Sequence, residues 1–304
     1  MTVSVIIPSY QGAKRLPNVL EALAAQSHSD FELIVAIDGS TDDTEAVLQH
    51  YQQRLPQLRW QHWPNGGRAV IRNRGAALAS GELLVFIDDD MRPVHDCLAR
   101  HIAHHQQYPG SILTGAQIED YDWVHNDLQR YKADLSRTWQ QGLPPKGEAM
   151  TANNLHLTAA NCSVPATLFE ALGGFNEALT DAEDYELAVR ALEAGISLHY
   201  DPEAIGWHDD AITCASYVRR RREYAAARSK LIAIAPALAK FLPLRSKADL
   251  SPLSRAVYSL FARKWWVQRA DSGSLTVLPR PLRGRVYTWI IWGLSLYYTD
   301  RDIT

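Results

Sequence analysis

The sequence predicts an α/β fold with a mostly parallel central sheet, and the alternation of two hydrophobic periods in its first half is the main reason. Apolar segments typical of buried strands lie near 3–8, 32–37, 57–62 and 83–88. Segments of helical periodicity follow them near 13–26, 42–53, 67–79 and 94–107. In such sheets ligands bind in the crevice at the carboxyl ends of the strands, and acidic residues follow two of these predicted strands.

The first strand is predicted from the second residue onward, so no signal or transit segment is expected. The three cysteines, Cys97, Cys162 and Cys214, are odd in number and widely spaced, without a CxxC or Cys/His ligand pattern. A reduced, cytoplasmic compartment and no structural zinc are therefore expected. With 304 residues, 46% of them hydrophobic, the chain accommodates one large domain, or one domain with an extension.

The second strand delivers Asp38 into a loop, and Asp42 or Asp43 is expected to cap the helix that follows. A carboxylate at the end of that strand accepts a hydrogen bond from a nucleobase N–H, such as N3 of uracil. A thymine nucleotide presents the same donor, so UDP and dTDP both stay open. Ordinary Asp-Gly turn chemistry is the alternative interpretation of this motif.

A helix that opens with glycines follows the third strand and carries three arginines: Arg68, Arg72 and Arg74. Cations and backbone amides at such a helix start suit a diphosphate, and a solvated basic face is the alternative. Neither a GxGxxG nor a GxxxxGK[ST] loop occurs, which excludes a dinucleotide fingerprint and a P-loop. Phosphate charge is therefore expected to be met by a metal ion and by arginine.

The fourth strand ends in three adjacent carboxylates, Asp88, Asp89 and Asp90. Adjacent acids repel one another, and hard oxygen ligands at a strand end suit Mg²⁺ or Mn²⁺ carrying a diphosphate. An acidic surface turn before Pro93 is the alternative.

The regular alternation breaks over residues 119–157. A helix is expected over 122–141, then a loop over 142–147, a strand over 157–164, and helices over 166–172 and 182–194.

The last of these helices begins with Glu183 and Asp184, where the helix dipole favours ionised carboxylates. An ionised carboxylate in a cleft serves as a general base, whereas simple helix capping is the alternative.

Together the motifs resemble the family 2 glycosyltransferases, inverting enzymes with the GT-A fold, over about residues 1–210. The resemblance rests on order and spacing of five short segments: Val5–Tyr10, Asp38–Asp42, Arg72–Gly75, Asp88–Asp90, and Gly173–Phe175 with Glu183-Asp184. It implies a GT-A catalytic domain over 1–214 that binds a nucleotide-sugar donor.

The resemblance also implies roles for individual residues. Nucleotide contacts are expected from Pro8, Ser9, Tyr10, Asp38, Arg72, Asp88 and, less specifically, Asp89. The metal ion, Mg²⁺ or Mn²⁺, is expected at Asp90 and Asp88. His208 either completes that metal shell or is structural. Asp184, beside Glu183, resembles the catalytic base.

A sugar donor also requires contacts that select the sugar. Such a contact is expected from Asn161 or from residues 119–157. Trp123, Trp139 and Trp207 are candidates for stacking on a sugar ring, and ordinary packing is an equal alternative.

Charge divides the chain unevenly. Residues 1–214 hold 14 Lys and Arg against 29 Asp and Glu, a net −15, whereas residues 215–304 hold 17 against 5, a net +12. The basic part is expected to be helical from Tyr217 to about Ala239, with aromatic runs over 261–266 and 287–298. Its last apolar run has about a dozen residues, short of the ~20 that span a bilayer.

Arginines beside Trp and Tyr are typical of a segment that lies on an anionic membrane surface, on the cytoplasmic face, near a lipid-linked acceptor. A helical subdomain that packs on the acidic body is the alternative. Nucleic-acid binding is not expected, because no recognised module occurs and the acidic body repels a phosphate backbone.

The sequence therefore predicts an inverting transferase that moves a sugar from a nucleoside diphosphate, UDP before dTDP, to a hydroxyl of a glycan or lipid-linked acceptor. The alternatives are a sugar nucleotidyltransferase and a non-catalytic scaffold of the same fold at a membrane. Glu183-Asp184 and the missing glycine-rich loop weigh against the first, and the filled catalytic positions weigh against the second.

Overall fold

The computed structural model describes residues 1–234 and 247–297, which form two compact units. The first unit comprises residues 1–118 and 138–209. The second comprises residues 119–137 together with the described residues from 210 onward.

The first unit is built on one eight-stranded sheet. Its strands are Val3–Ser9 (β1), Phe31–Asp38 (β2), Leu58–Trp63 (β3), Leu83–Ile87 (β4), Met91–Pro93 (β5), Ile112–Ile118 (β6), Asn161–Pro165 (β7) and Leu198–His208 (β8). The helices of the chain up to β8 are Leu16–Ala24 (α1), Thr44–Tyr51 (α2), Arg68–Leu78 (α3), Cys97–Gln107 (α4), Asp127–Gln140 (α5), Ala166–Ala171 (α6) and Glu183–Glu193 (α7). The strands and helices predicted for the first 107 residues are confirmed, with ends shifted by a few residues.

The strand order is β3-β2-β1-β4-β7-β6-β8-β5. Pairing is parallel from β3 through β4 and between β6 and β8, and antiparallel where β7 joins β4 and β6 and where β5 joins β8. The mostly parallel α/β sheet is therefore confirmed. Because β1, β2 and β4 run side by side in one direction, the residues at or just after their ends, Ser9, Asp38 and Asp88, lie along one edge of the sheet.

The central strands β1, β2 and β4 are buried on both faces, as expected for strands covered by helices on each side. On β1 the residues alternate between two apolar clusters: Val3, Val5 and Ile7 belong to one, and Ile6 belongs to the other. This burial fixes the register of β1, since a slip by one residue would exchange the two sets.

A buried histidine holds α4 against β7. One ring nitrogen of His101 lies 2.8 Å from Ser163 Oγ, and the other lies 3.0 Å from Asn161 Oδ1. The Asn161 amide donates to the carbonyl oxygens of Ala116 and Ala204. Burial lowers the pKa of His101 to about 4, so the ring stays neutral. Asn161 is buried and fully engaged in the core, which leaves residues 119–157 as the predicted source of sugar-selecting contacts.

Two boundaries differ from prediction, and both have a local cause. The expected helix over 122–141 begins only at Asp127. A short 3-10 turn precedes it, and the Asn126 side chain caps its start by accepting a hydrogen bond from the Gln129 backbone amide. The expected strand over 157–164 begins at Asn161, since residues 157–160 form a loop.

The second unit is helical in its basic part, with helices Cys214–Ile234 (α8), Pro252–Phe261 (α9), Trp265–Asp271 (α10) and Arg280–Tyr297 (α11). Its core gathers on α11, where Tyr287, Ile290 and Leu294 are buried. Gly293 brings α11 close to α9, because a Cβ there would lie 2.6 Å from the Tyr258 carbonyl oxygen. The predicted continuation of α8 to about Ala239, and Tyr298, lie outside the described residues.

Candidate active site

A buried arginine ties two distant parts of the first unit together. Arg72 on α3 is 3% exposed. Its guanidinium donates to Asp88 Oδ1 at 2.6 Å, just after β4, and to Glu183 Oε1 at 2.5 Å, at the start of α7. These two carboxylates raise the pKa of Arg72 against the opposing effect of burial. Arg72 therefore brings the start of α7 to the loop that carries the three aspartates.

Asp184, the neighbour of Glu183, lies within this arrangement. Its Oδ1 accepts the Tyr185 amide at 2.7 Å and its Oδ2 accepts the Ala159 amide at 3.3 Å. Burial, and then the charge of Glu183, raise the pKa of Asp184 to about 7, although Arg72 and the two amides favour its ionised form. Such a carboxyl group exchanges a proton near neutral pH, as a general base must.

The backbone just before this acid pair is strained. Ala182 has φ +63°, a left-handed conformation that costs a non-glycine residue of the order of 1–2 kcal/mol. Among the described residues only one other non-glycine residue, Gln11, shares this conformation, at φ +53°. Gln11 follows β1 at the same edge of the sheet. Strain of this kind clusters at functional sites, where surrounding contacts hold it in place.

The middle aspartate of the triplet points into the protein. Asp89 is buried and accepts hydrogen bonds from Ser9 Oγ at 2.6 Å and from Arg15 Nε and Nη2 at 2.9 and 3.0 Å. Burial raises the pKa of Asp89 to about 6, and the Arg15 guanidinium opposes this shift. Gly12 keeps the space open, since a Cβ there would overlap Ser9 Oγ. Asp89 thus joins the loop after β1 to the loop after β4.

The third aspartate faces the end of β8. Asp90 Oδ2 lies 3.5 Å from His208 Nε2, whereas Asp88 is directed to Arg72. Within residues 1–234 and 247–297, no three or more His, Cys, Asp or Glu side chains lie close enough together to hold a metal ion. Mg²⁺ in phosphate-transfer sites is usually held by one or two carboxylates, with waters and substrate phosphates completing its shell. Asp90 with His208 fits a divalent ion of that kind.

Asp38 fixes the turn that precedes α3. Its Oδ1 accepts the Gly66 amide at 2.6 Å, and its Oδ2 accepts the Gly67 amide at 3.0 Å and Asn65 Nδ2 at 3.3 Å. An ionised carboxylate accepts about four hydrogen bonds, so Asp38 retains capacity for one more. Gly39 is needed here, since it has φ +72° and a Cβ would lie 2.8 Å from the Asn65 nitrogen.

The residues at the end of β1 complete the edge. Ser9 is buried against Asp89, Pro8 is half-buried, and Tyr10 is exposed. The Gln11 amide donates to Ser40 Oγ at 2.9 Å, which joins this loop to the loop after β2. The structure thus gathers the predicted site residues along one edge of the sheet. Sequence reasoning missed Arg15 and the Ala159 amide, because neither forms part of a recognisable motif.

Comparison with known proteins assigns the fold and the family. Residues 4–169 match the model of glycosyl transferase family 2, more than half of the chain. A mannosyltransferase from Pyrobaculum calidifontis, solved with GDP-Man and Mn²⁺, aligns with a TM-score of 0.62 at 18% identity, covering 98% of this chain and 88% of that one. S. aureus TarS 1-349, solved with UDP-GlcNAc, aligns with a TM-score of 0.54 at 20% identity, covering 97% and 90%.

A validoxylamine A glucosyltransferase from Streptomyces hygroscopicus subsp. jinggangensis is 31% identical over 234 residues, 67% of this chain and 54% of that protein. The chain spans about a third to a half of the first curated relatives that it matches. The fold is that of the GT-A glycosyltransferases. The chain belongs to glycosyl transferase family 2, which confirms the resemblance found in the sequence.

Proposed function

We propose that the chain transfers a sugar from a nucleoside diphosphate, preferably UDP, to a hydroxyl of a glycan or lipid-linked acceptor, with inversion at the anomeric carbon. The observation that carries this proposal is the Arg72 bridge from Asp88 to Glu183. It supports a single site in which the donor edge of the sheet faces the carboxylate pair that begins α7. Residues 1–214 are then the catalytic domain.

On the donor side, Asp38 accepts the base N–H with its remaining lone pair, and Pro8, Ser9 and Tyr10 lie along the nucleoside. Asp88 lies by the ribose and is held there by Arg72, so Arg72 is a positioning residue for the nucleotide. Asp89 supports the same edge through Ser9 and Arg15. The nucleotide sugars bound by the two solved neighbours support a donor of this class.

Asp90 and His208 would hold the divalent ion, Mg²⁺ or Mn²⁺, and Asp88, whose Oδ1 accepts from Arg72, is the other carboxylate of the predicted metal set. When bound, such an ion neutralises the negative charge that develops on the departing diphosphate.

Asp184 accepts the proton of the acceptor hydroxyl as that oxygen bonds to the anomeric carbon and the bond to the diphosphate breaks. Glu183 pairs with Arg72, which fixes the start of α7, the helix that carries Asp184. One displacement, without a covalent intermediate, inverts the configuration.

Metal-dependent nucleotide binding tests the donor site. UDP with Mn²⁺ should raise the melting temperature, because a ligand that binds only the folded state stabilises it. The panel consists of UDP, dTDP, GDP and CMP, each tested with and without Mn²⁺. The shift from UDP should exceed the shifts from GDP and CMP. We expect Asp90→Ala to abolish the Mn²⁺-dependent part. Asp96→Ala is the control, since Asp96 pairs only with Arg100 in the part of the chain that the structure describes. An equal shift in Asp90→Ala and the wild type would refute this metal assignment.

The second unit supports a location at a membrane surface. Large apolar side chains remain exposed along residues 253–282, with Leu253 at 75% and Val277 at 85%. The others are Leu260, Trp265 and Leu282. Basic residues lie among them in sequence, including Arg263 and Lys264, and residues 215–304 carry a net charge of +12. None of the described helices is long and apolar enough to cross a bilayer. This combination suits attachment to an anionic lipid surface that carries the acceptor.

Vesicle pelleting tests the attachment. Leu253→Glu with Leu260→Glu should reduce binding to phosphatidylserine-containing vesicles several-fold, because the change adds charge where apolar contact is proposed. Leu135→Glu, at another exposed leucine of the same unit, should leave binding unchanged. Equal pelleting of the double variant and the wild type, or no pelleting of the wild type, would contradict attachment by this surface.

A further inference from the structure

An exposed tryptophan lies at the carboxyl end of α5, within the first unit. Trp139 is 54% exposed, and its ring packs edge-on against His156, with the ring centroids 4.5 Å apart and the planes at 76°. The next residue fixes this end of the helix: Gln140 donates to the Gln117 carbonyl oxygen at 3.0 Å and accepts from the Tyr200 hydroxyl at 3.0 Å. Trp139 is thus held in place although most of its surface meets solvent.

The segment that carries His156 also carries a contact to the proposed base. Its start is anchored, because the Met150 amide donates to the Leu198 carbonyl oxygen at 2.7 Å. Three residues after His156, the Ala159 amide donates to Asp184 Oδ2 at 3.3 Å. The Cα atoms of His156 and Ala159 are at most about 10 Å apart, because three residues of chain span no more. The distance from His156 to Asp184 is therefore within the length of a small oligosaccharide.

The His156 ring has hydrogen-bonding capacity to offer. The residue is half-buried, and among residues 1–234 and 247–297 neither nitrogen of its ring has a hydrogen-bond partner. Burial lowers the pKa of His156 to about 4, so the ring is neutral at pH 7 and presents one N–H donor and one acceptor nitrogen. Sugar hydroxyls match both. A rigid aromatic surface beside such a group is suited to a sugar ring, whose C–H face is apolar and whose edge is polar.

We propose that Trp139 and His156 form a carbohydrate subsite on the acceptor side of Asp184, in which Trp139 stacks on a sugar ring and His156 hydrogen-bonds its hydroxyls. The position of the subsite relative to catalysis rests on the proposed function, because the acceptor side is defined only by the proposed role of Asp184. The binding of a sugar by Trp139 and His156 does not depend on that function. The ligand class is a glycan or glycoside, and the pair would select the acceptor rather than take part in the proton transfer.

Glycoside binding without any donor tests the subsite. The probes are the methyl glycosides of glucose, galactose, mannose and N-acetylglucosamine at millimolar concentrations, followed by saturation-transfer NMR on the full chain. We expect at least one to bind the wild type. Trp139→Ala should weaken that binding roughly three- to tenfold, and Trp139→Tyr, which keeps an aromatic ring, should weaken it less. His156→Leu should weaken it, and His156→Gln, which keeps a donor and an acceptor, should restore part of it.

Trp123→Ala is the matched control, because Trp123 is 45% exposed but belongs to the second unit. Equal loss in Trp123→Ala and Trp139→Ala, unchanged binding in Trp139→Ala, or no binding of any glycoside by the wild type would overturn the subsite. Melting temperature confirms that each variant is folded. The assay contains no nucleotide, so glycoside binding can be measured even if the donor site is wrong. If instead the subsite is wrong, nucleotide binding by the wild type is unaffected.

Discussion

We expect Asp184→Asn to lower the rate of sugar transfer by about 10²- to 10⁴-fold, the range typical for removal of a general base. The amide keeps the shape of the side chain but does not accept the proton of the attacking hydroxyl. UDP with Mn²⁺ should still raise the melting temperature of this variant, because its nucleotide contacts are unchanged. The measurement is the initial rate of UDP release, with nucleotide binding followed in parallel.

The role of Asp184 as a base also predicts how activity changes with pH. Asp184 acts as a base only when it is ionised, and its pKa is raised to about 7 by burial and by Glu183. Wild-type activity should therefore rise as pH increases through about 7, and the residual activity of Asp184→Asn should lack this rise. Asp181→Asn is the control, since Asp181 lies three residues earlier and pairs with Arg68 at 3.5 Å. Near-native turnover in Asp184→Asn would remove Asp184 from the mechanism.

We expect Arg72→Met to destabilise the fold by about 3–5 kcal/mol, because it leaves the buried Glu183 and the half-buried Asp88 without their cation. Methionine fills similar space, so most of the loss reflects the uncompensated carboxylates rather than a cavity. Urea denaturation measures the change. Combining Arg72→Met with Glu183→Gln should recover part of the stability, since it removes one of the stranded charges.

Arg54→Met is the matched control for a salt bridge at the surface. Arg54 pairs with Glu21 at 2.5 Å, and both side chains are about half exposed, so its loss should cost about 1 kcal/mol or less. If Arg72→Met cost no more than Arg54→Met, the bridge between the strand edge and α7 would not hold the site together.

The elements of the first half followed from the sequence because local periodicity determines them. β1 and β2 are apolar on both faces, and α3 begins where two glycines end a loop, so their positions could be predicted within a few residues. The short β5 and the later start of α5 depend on pairing with β8 and on an asparagine cap. Neither signal is strong in the chain itself.

The candidate site was predictable as a set of residue types but not as a set of contacts. Asp88 and Glu183 both contact Arg72, although Glu183 lies 111 residues from it, and no local pattern indicates such a meeting. The sequence also does not distinguish three adjacent aspartates by direction. In the structure one is directed to Arg72, one to Ser9 and Arg15, and one towards His208.

The products formed from an α-linked UDP-sugar with water as the acceptor test the central proposal most directly, because they require no knowledge of the natural acceptor. NMR spectra recorded before the free sugar equilibrates, in the presence of Mn²⁺, report both the bond that breaks and the anomer that forms. We expect UDP and the β-anomer to appear together, much more slowly with Asp184→Asn than with the wild type. The α-anomer as first product would contradict a single displacement. No release of UDP, or release of a sugar 1-phosphate when pyrophosphate is added, would contradict glycosyl transfer itself.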